Sequence, residues 1–148
     1  MAEFHRNATS TWSGDLKSGK GLVSTQSGAL QDAQVTFVSR FENQKGSNPE
    51  ELIAAAHAAC FSMALSANLS GAGHVPDSVT TTATVTLRMD QSGPTVSKIH
   101  LVVEGKVPGI DNEAFQAAAE QTKTGCPISR LLAPGLEEIS LEARLLNA

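Results

Sequence analysis

Aromatic residues are scarce in this chain. They make up 4% of its 148 residues, with no tyrosine and a single tryptophan. So few rings leave little for a base-stacking platform. No run of Lys or Arg occurs and the formal charge is −4, so no nucleic-acid partner is expected. The segment from Met1 to Ser10 holds no apolar stretch, and no secretory signal is expected there. Nowhere do roughly 18 apolar residues follow one another, so the expectation is no membrane span and a cytoplasmic setting. There is no glycine-rich phosphate loop, no His-x-x-x-His pair and no pair of carboxylates at useful spacing. His5, His57, His74 and His100 are too dispersed for a metal site. Neither a metal nor an organic cofactor is expected. Cysteine is the most informative scarcity, because only Cys60 and Cys126 are present. Their separation of 66 positions (126 minus 60) excludes a Cys-x-x-Cys redox pair and a zinc knuckle. In a reducing compartment such a pair is seldom a permanent bridge.

What the chain does contain reads as one α+β domain over residues 1–148, large enough to bury roughly two thirds of its extended surface. Short alternating runs at Ala8–Trp12, Gly21–Gln26 and Val35–Phe41 predict three strands. Asn48 suits an N-cap, Pro49 the first helical position and Glu51 the reach-back position of a capping box. The helix that follows should reach about Leu69 and stop at Gly71. It is apolar nearly all round and rich in alanine, which predicts a core helix buried on most sides. Val79 to Met89 alternates as a half-buried strand, Asp90 to Pro94 turns the chain, and Ile99, Leu101 and Val103 alternate on the return. Asp111 should cap a short helix to about Lys123. Cys126-Pro127 should open another to Leu132, and Ile139 to Leu145 reads as a final strand. The order βββ-α-ββ-α-α-β suits mostly antiparallel sheets.

Both cysteines occupy positions where a thiol can be reactive or merely packed. Cys126 opens a helix, where unpaired backbone N–H groups stabilise a thiolate, or it simply fills a cap position. Cys60 lies in the small-residue helix and packs like a hydrophobe unless the fold brings the second sulfur to it. His57 sits one turn before Cys60 on nearly the same face. It either draws on the thiol proton or is a satisfied core group. For Arg40, Glu50 and Glu51 the residue-level alternatives are capping and a solvated strand end.

The run Asn48-Pro49-Glu50-Glu51-Leu52 through His57, Cys60 and Leu65 closely resembles the signature helix of the OsmC branch of the OsmC/Ohr family. Trp12-Ser13-Gly14-Asp15-Leu16, Thr36 to Gly46, Val107-Pro108-Gly109-Ile110-Asp111 and Gly125-Cys126-Pro127-Ile128-Ser129 extend the likeness over essentially the whole chain. The resemblance implies mostly antiparallel sheets around a long buried helix in an intertwined homodimer. It also implies a thiol-dependent peroxidase that reduces organic hydroperoxides and is recycled by an external dithiol, a lipoyl-type dithiol being one candidate. Position by position, Cys60 matches the peroxidatic cysteine, Cys126 the resolving one, Glu50 the active-site glutamate and Arg40 the catalytic arginine. His57 is typical of this branch. Phe41, Leu52, Phe61 and Met63 are candidates for an apolar substrate pocket, or for the core. The rival expectations are a redox sensor without turnover and a stress protein that binds a hydrophobic ligand.

Glu50 and Cys60 stand ten residues apart on one helix, about 15 Å of rise and roughly 80° in angle. Glu50 therefore cannot hold an arginine against Cys60 of its own helix. The expectation is a composite site, with Cys60 and Cys126 from one subunit and Arg40 and Glu50 from the other.

Overall fold

The computed structural model describes residues 1–146, which gather into two compact units divided after Leu52. In the first, β1 (Ala8–Ser13), β2 (Lys20–Thr25) and β3 (Ala33–Val35) form an antiparallel meander in that order. The Trp12 indole N–H closes the first turn by donating to the carbonyls of Gly14 and Asp15, at 3.1 and 3.2 Å.

The expected third strand over Val35–Phe41 is corrected here. The strand ends at Val35, and Phe37–Phe41 forms a short helix, α1. A capping box decides the matter. The Ser39 N–H donates to Thr36 Oγ1 (3.1 Å) and the Thr36 N–H to Ser39 Oγ (2.9 Å), so orphan donors that a strand would leave outward are satisfied in a helical turn. The long helix α2 (Pro49–Gly71) starts as its sequence predicts, with the Glu51 N–H donating to Asn48 Oδ1 at 2.8 Å. The Glu51 carboxylate, expected to reach back to the Asn48 backbone, accepts from Ser47 Oγ instead (2.7 Å).

The second unit is built on β4 (Ser78–Asp90), β5 (Gly93–Lys106) and β6 (Glu138–Leu145), in that order. β4 and β5 form a long antiparallel hairpin with a register shift at Thr86/Leu87. β6 runs parallel to β5, because α3 (Asn112–Gly125), α4 (Pro127–Leu132) and a 3₁₀ turn (Ala133–Gly135) carry the chain back along the sheet first. Asp111 caps α3 as expected, accepting from the Ala114 N–H at 2.8 Å. Ile99, Leu101 and Val103 of β5 are wholly buried and join Phe61, Leu65 and Leu69 of α2 and Phe115 and Ala119 of α3 in one core. Each large side chain there contributes roughly 1.5–3 kcal/mol by leaving water, against about 1 kcal/mol for a cap such as Asp111. The core decides the fold.

α2 departs from its expected surroundings. His57, Phe61, Leu65 and Leu69 recur every fourth residue and are buried, whereas Ala55, Ala56, Ala59, Met63 and Ala67 on other sides are exposed. It is also the one helix among the described residues long and apolar enough, by length and composition, to cross a membrane. That property comes from its alanines. Only 22% of its most apolar stretch is buried, so a broad apolar face stands uncovered in the single chain.

α3 approaches β5 closely enough that Phe115 lies over Gly105. A Cβ at that position would sit 2.5 Å from Phe115 Cε2. Gly105→Ala should therefore cost about 1–3 kcal/mol by overpacking, measured by urea unfolding. Gly125→Ala, with open space around it, should change stability by less than about 1 kcal/mol. Equal losses in the two variants would contradict the packing described.

Candidate active site

In the second unit, the middle of α2 and the start of α4 bring the two cysteines together. Their sulfurs are hydrogen-bonded at 3.3 Å, and both are free thiols. A disulfide needs about 2.05 Å between sulfurs, so an approach of little more than 1 Å would join them. Cys126 is wholly buried and belongs to the core cluster, while Cys60 is half-buried. Pro127 begins α4 and has no N–H to offer. The next two backbone N–H groups turn towards sulfur, with Ile128 donating to both thiols and Ser129 to Cys126.

These contacts set the acidity of the pair. Burial pushes the Cys60 thiol up, and the neighbouring Cys126 sulfur pushes it further, against one relieving hydrogen bond from Ile128. Burial also acts to raise Cys126. There the donors outweigh it: the Ser129 N–H, the Cys60 thiol, the Ser129 hydroxyl and the Ile128 N–H together bring Cys126 below the ordinary thiol range. The two thiols thus lean in opposite directions, Cys60 towards the protonated thiol and Cys126 towards the thiolate. Among the described residues, none that acts on the Cys60 thiol is a cation.

His57 lies one turn before Cys60 and is fully buried. Its Nε2 is 2.7 Å from Ser129 Oγ, and its Nδ1 has no partner among the described residues. Burial pushes the imidazole below the usual histidine value. Ser129, which pattern reading did not single out beyond its place in the Gly125–Ser129 run, is 1% exposed. Its proximity to Cys126 follows from the i to i+3 geometry of a first helical turn and was open to inference; its bond to His57, 72 residues away, was not.

The first unit holds the other predicted pair. Arg40 of α1 meets Glu50 in the first turn of α2, with Nη2 to Oε1 at 2.8 Å and Nε at 3.2 and 3.3 Å from the two carboxylate oxygens. Glu50 is 7% exposed. A forked pair this close fixes the guanidinium plane, and the helix N-terminus favours the carboxylate. Arg40 Nη1 keeps no acceptor among the described residues, and the guanidinium lies 5.3 Å from the Phe41 ring centre. Beside it opens a cavity of about 410 Å³ walled by Trp12, Val23, Phe37, Phe41 and Leu52, with Arg40 its only charged side chain.

Phe41 and Leu52 therefore line an apolar cavity. Phe61 does not. It is a core residue with no exposed surface, because its register on α2 points it at β5. Met63, 74% exposed, lies on the uncovered side of the same helix. Trp12 and Phe37 were missed as cavity walls, since a one-sided meander and an unforeseen helix put them there. A wider, shallow cleft of about 630 Å³ over α3 and β6 contains neither thiol. Among the described residues no three His, Cys, Asp or Glu side chains converge as metal ligands would.

His57 makes stability depend on pH in a definite direction. The unfolded chain binds a proton near pH 6.5 while the folded chain resists it, so stability rises with pH through that window and is lost as pH falls below about 6.5. Urea midpoints measured from about pH 7 to about pH 5 should fall less steeply in His57→Gln than in the parent. Identical slopes would contradict a neutral buried imidazole.

A family model described as OsmC-like protein matches residues 42–138 of the chain. The Peroxiredoxin OsmC of Escherichia coli strain K12 is 49% identical over 142 residues, covering 96% of this chain and 97% of that protein. Among solved structures, the organic hydroperoxide resistance protein OhrB of Bacillus subtilis is 27% identical, with a TM-score of 0.72 over 93% of this chain and 97% of that one. An OsmC-like protein from Mycoplasma pneumoniae, at 14% identity, shares the fold with a TM-score of 0.72 over 97% and 99% of the two chains. Fold and sequence agree, and the chain belongs to the OsmC-like protein family.

Proposed function

We propose that this chain is a thiol-dependent peroxidase that reduces organic hydroperoxides to alcohols, working in the cytoplasm in defence against oxidative or osmotic stress. The observation that carries the reading is the 3.3 Å separation of two sulfurs 66 residues apart in sequence. The Cys60 thiolate attacks the distal oxygen of ROOH. A sulfur–oxygen bond forms, the O–O bond breaks, and the alkoxide leaves as alcohol after taking a proton. Cys126 then attacks the sulfenic sulfur, the disulfide forms and the hydroxyl departs as water. A thiol reductant, for which a lipoyl-type dithiol is our candidate, reopens the bridge by exchange.

The cation that Cys60 lacks is assigned to Arg40, held by Glu50 and carried by a second subunit. Helical arithmetic supports this assignment, since about 15 Å of rise separates Glu50 from Cys60 on α2. The uncovered apolar face at Ala55, Ala59 and Met63 supports a second copy packing on α2. The free Nη1 of Arg40 is a donor for the peroxide oxygen, and the apolar cavity beside it favours an alkyl group over hydrogen peroxide.

Steady-state consumption of cumene hydroperoxide with a dithiol tests the reading. Cys60→Ser should fall to background, and Cys126→Ser should lose sustained turnover with dithiol while still reacting once. Single-turnover behaviour in the parent protein would mark a redox sensor instead. Mixing Cys60→Ser with Arg40→Met subunits tests the composite site. Statistical exchange should restore about a quarter of parental activity, because half the dimers are mixed and each regains one site of two. No recovery would place all four groups in one chain.

A further inference from the structure

Three features lie beyond the two thiols, Arg40 and Glu50: the cleft over α3 and β6, the uncovered face of α2, and the buried His57–Ser129 pair. The first is shallow, and its Gln116 and Arg144 donors are already paired with the Ala143 carbonyl and Glu142; the second is the face on which a second copy is proposed above to pack. The third is built from fully buried polar groups that end on a reacting sulfur. His57 Nε2 is 2.7 Å from Ser129 Oγ, neither residue is more than 1% exposed, and Ser129 stands three residues after Cys126 in the first turn of α4, where its hydroxyl favours the Cys126 thiolate.

Two tautomers of a neutral His57 are conceivable, and they do opposite things. With the proton on Nδ1, Nε2 accepts from the Ser129 hydroxyl, which then has no hydrogen left for sulfur. The Nδ1–H would also be a buried donor without a partner, and such orphaned N–H groups are rarer in folded proteins than under-used acceptors. With the proton on Nε2, the imidazole donates to Ser129 Oγ. The hydroxyl hydrogen is then free to point at Cys126 Sγ, and the partnerless Nδ1 is an acceptor.

We propose that His57 and Ser129 are positioning residues for the resolving step: His57 Nε2–H orients the Ser129 hydroxyl so that it donates to Cys126 and holds that sulfur as the thiolate that attacks the Cys60 sulfenic acid. This rests on the peroxidase reading above. In the step itself the S–O bond of Cys60 breaks as the S–S bond forms. Cys126 is oxidised, the Cys60 sulfur is reduced, and the departing hydroxide takes up the proton that the Cys126 thiol gave up, leaving water. Ser129 and His57 keep their protons throughout. The direction in which the Ser129 bonds move Cys126, towards the thiolate, agrees with this role.

The titratable groups facing Cys126 are Cys60 from α2 directly and His57 from α2 through Ser129. Nearby on the outer surface, Lys123 of α3 pairs with Glu120 at 3.3 Å and Arg130 of α4 is exposed, so neither enters the chain of bonds.

The test is single-turnover kinetics on the full-length protein with one equivalent of cumene hydroperoxide. A sulfenic-acid trap and thiol titration follow the two steps separately. In Ser129→Ala, disulfide formation should slow on the order of tenfold through loss of thiolate. Its pH midpoint should move up, with a longer-lived sulfenic acid. His57→Gln should shift in the same direction, and Ser129→Thr, which keeps a hydroxyl, should restore the rate. A merely structural role would slow oxidation and resolution alike and leave the midpoint in place, and that result overturns the proposal. Nitrogen NMR of the unsubstituted protein decides the question without any variant: the Nε2–H tautomer supports the proposal and the Nδ1–H tautomer overturns it. Failure of the parent to consume hydroperoxide would instead sink the peroxidase reading, with the tautomer still deciding the hydrogen-bond chain.

Discussion

The contact between the Cys60 and Cys126 sulfurs is the constraint on which the rest depends, and neither local sequence produces it. Cys60 is presented by α2, whose depth is set by Phe61, Leu65 and Leu69 against the inward face of β5. Cys126 is presented by the junction of α3 and α4, where Pro127 forces a fresh start to the helix and Phe115 over Gly105 fixes how closely α3 lies on the sheet. A shift of an ångström or so in either packing would take the sulfurs out of bonding reach. Core packing thus sets the distance between the two sulfurs. Close-packed interiors hold such a distance because side chains interdigitate with few voids.

Burial has a cost that the surrounding donors outweigh at Cys126 and only partly offset at Cys60. Backbone N–H groups of Ile128 and Ser129 and the Ser129 hydroxyl converge on Cys126, whereas Cys60 receives a single N–H. The fold therefore favours the thiolate on Cys126 and leaves Cys60 with little to offset its burial. Arg40, oriented by Glu50 and flanked by an apolar cavity, is the group in this chain suited to that role. An oligomer in which a helix with one uncovered apolar face meets its own copy would bring the two halves of the machinery into one place.

Much of this was legible in the residues. Asn48-Pro49 and Asp111 announced helix starts through side-chain oxygens that the backbone uses as expected. The alternation of Ile99, Leu101 and Val103 named the buried face of β5, because a period of two has one physical meaning on a sheet. What escaped was decided by groups distant in sequence or by short polar exchanges. Val35 to Phe41 alternates like a strand, yet Thr36 and Ser39 satisfy each other in a turn, and a local hydrogen bond overrode the apolar pattern. α2 is so rich in alanine that its sequence shows no preferred face, so a helix buried on one side read as buried on most. Cys60 and Cys126 could be named as partners through their resemblance to a family. Ser129 became visible as the link between His57 and sulfur once the fold had joined residues 72 positions apart.

The central claim is that these two sulfurs bond reversibly in the folded protein. Mass spectrometry of the native chain after one equivalent of organic hydroperoxide tests it most directly. The expected product has lost the mass of two hydrogens, yields one cross-linked peptide pair containing Cys60 and Cys126, and returns to the starting mass with a dithiol. Two unmodified thiols, or a Cys60 carried on to sulfinic acid with Cys126 still free, would contradict it.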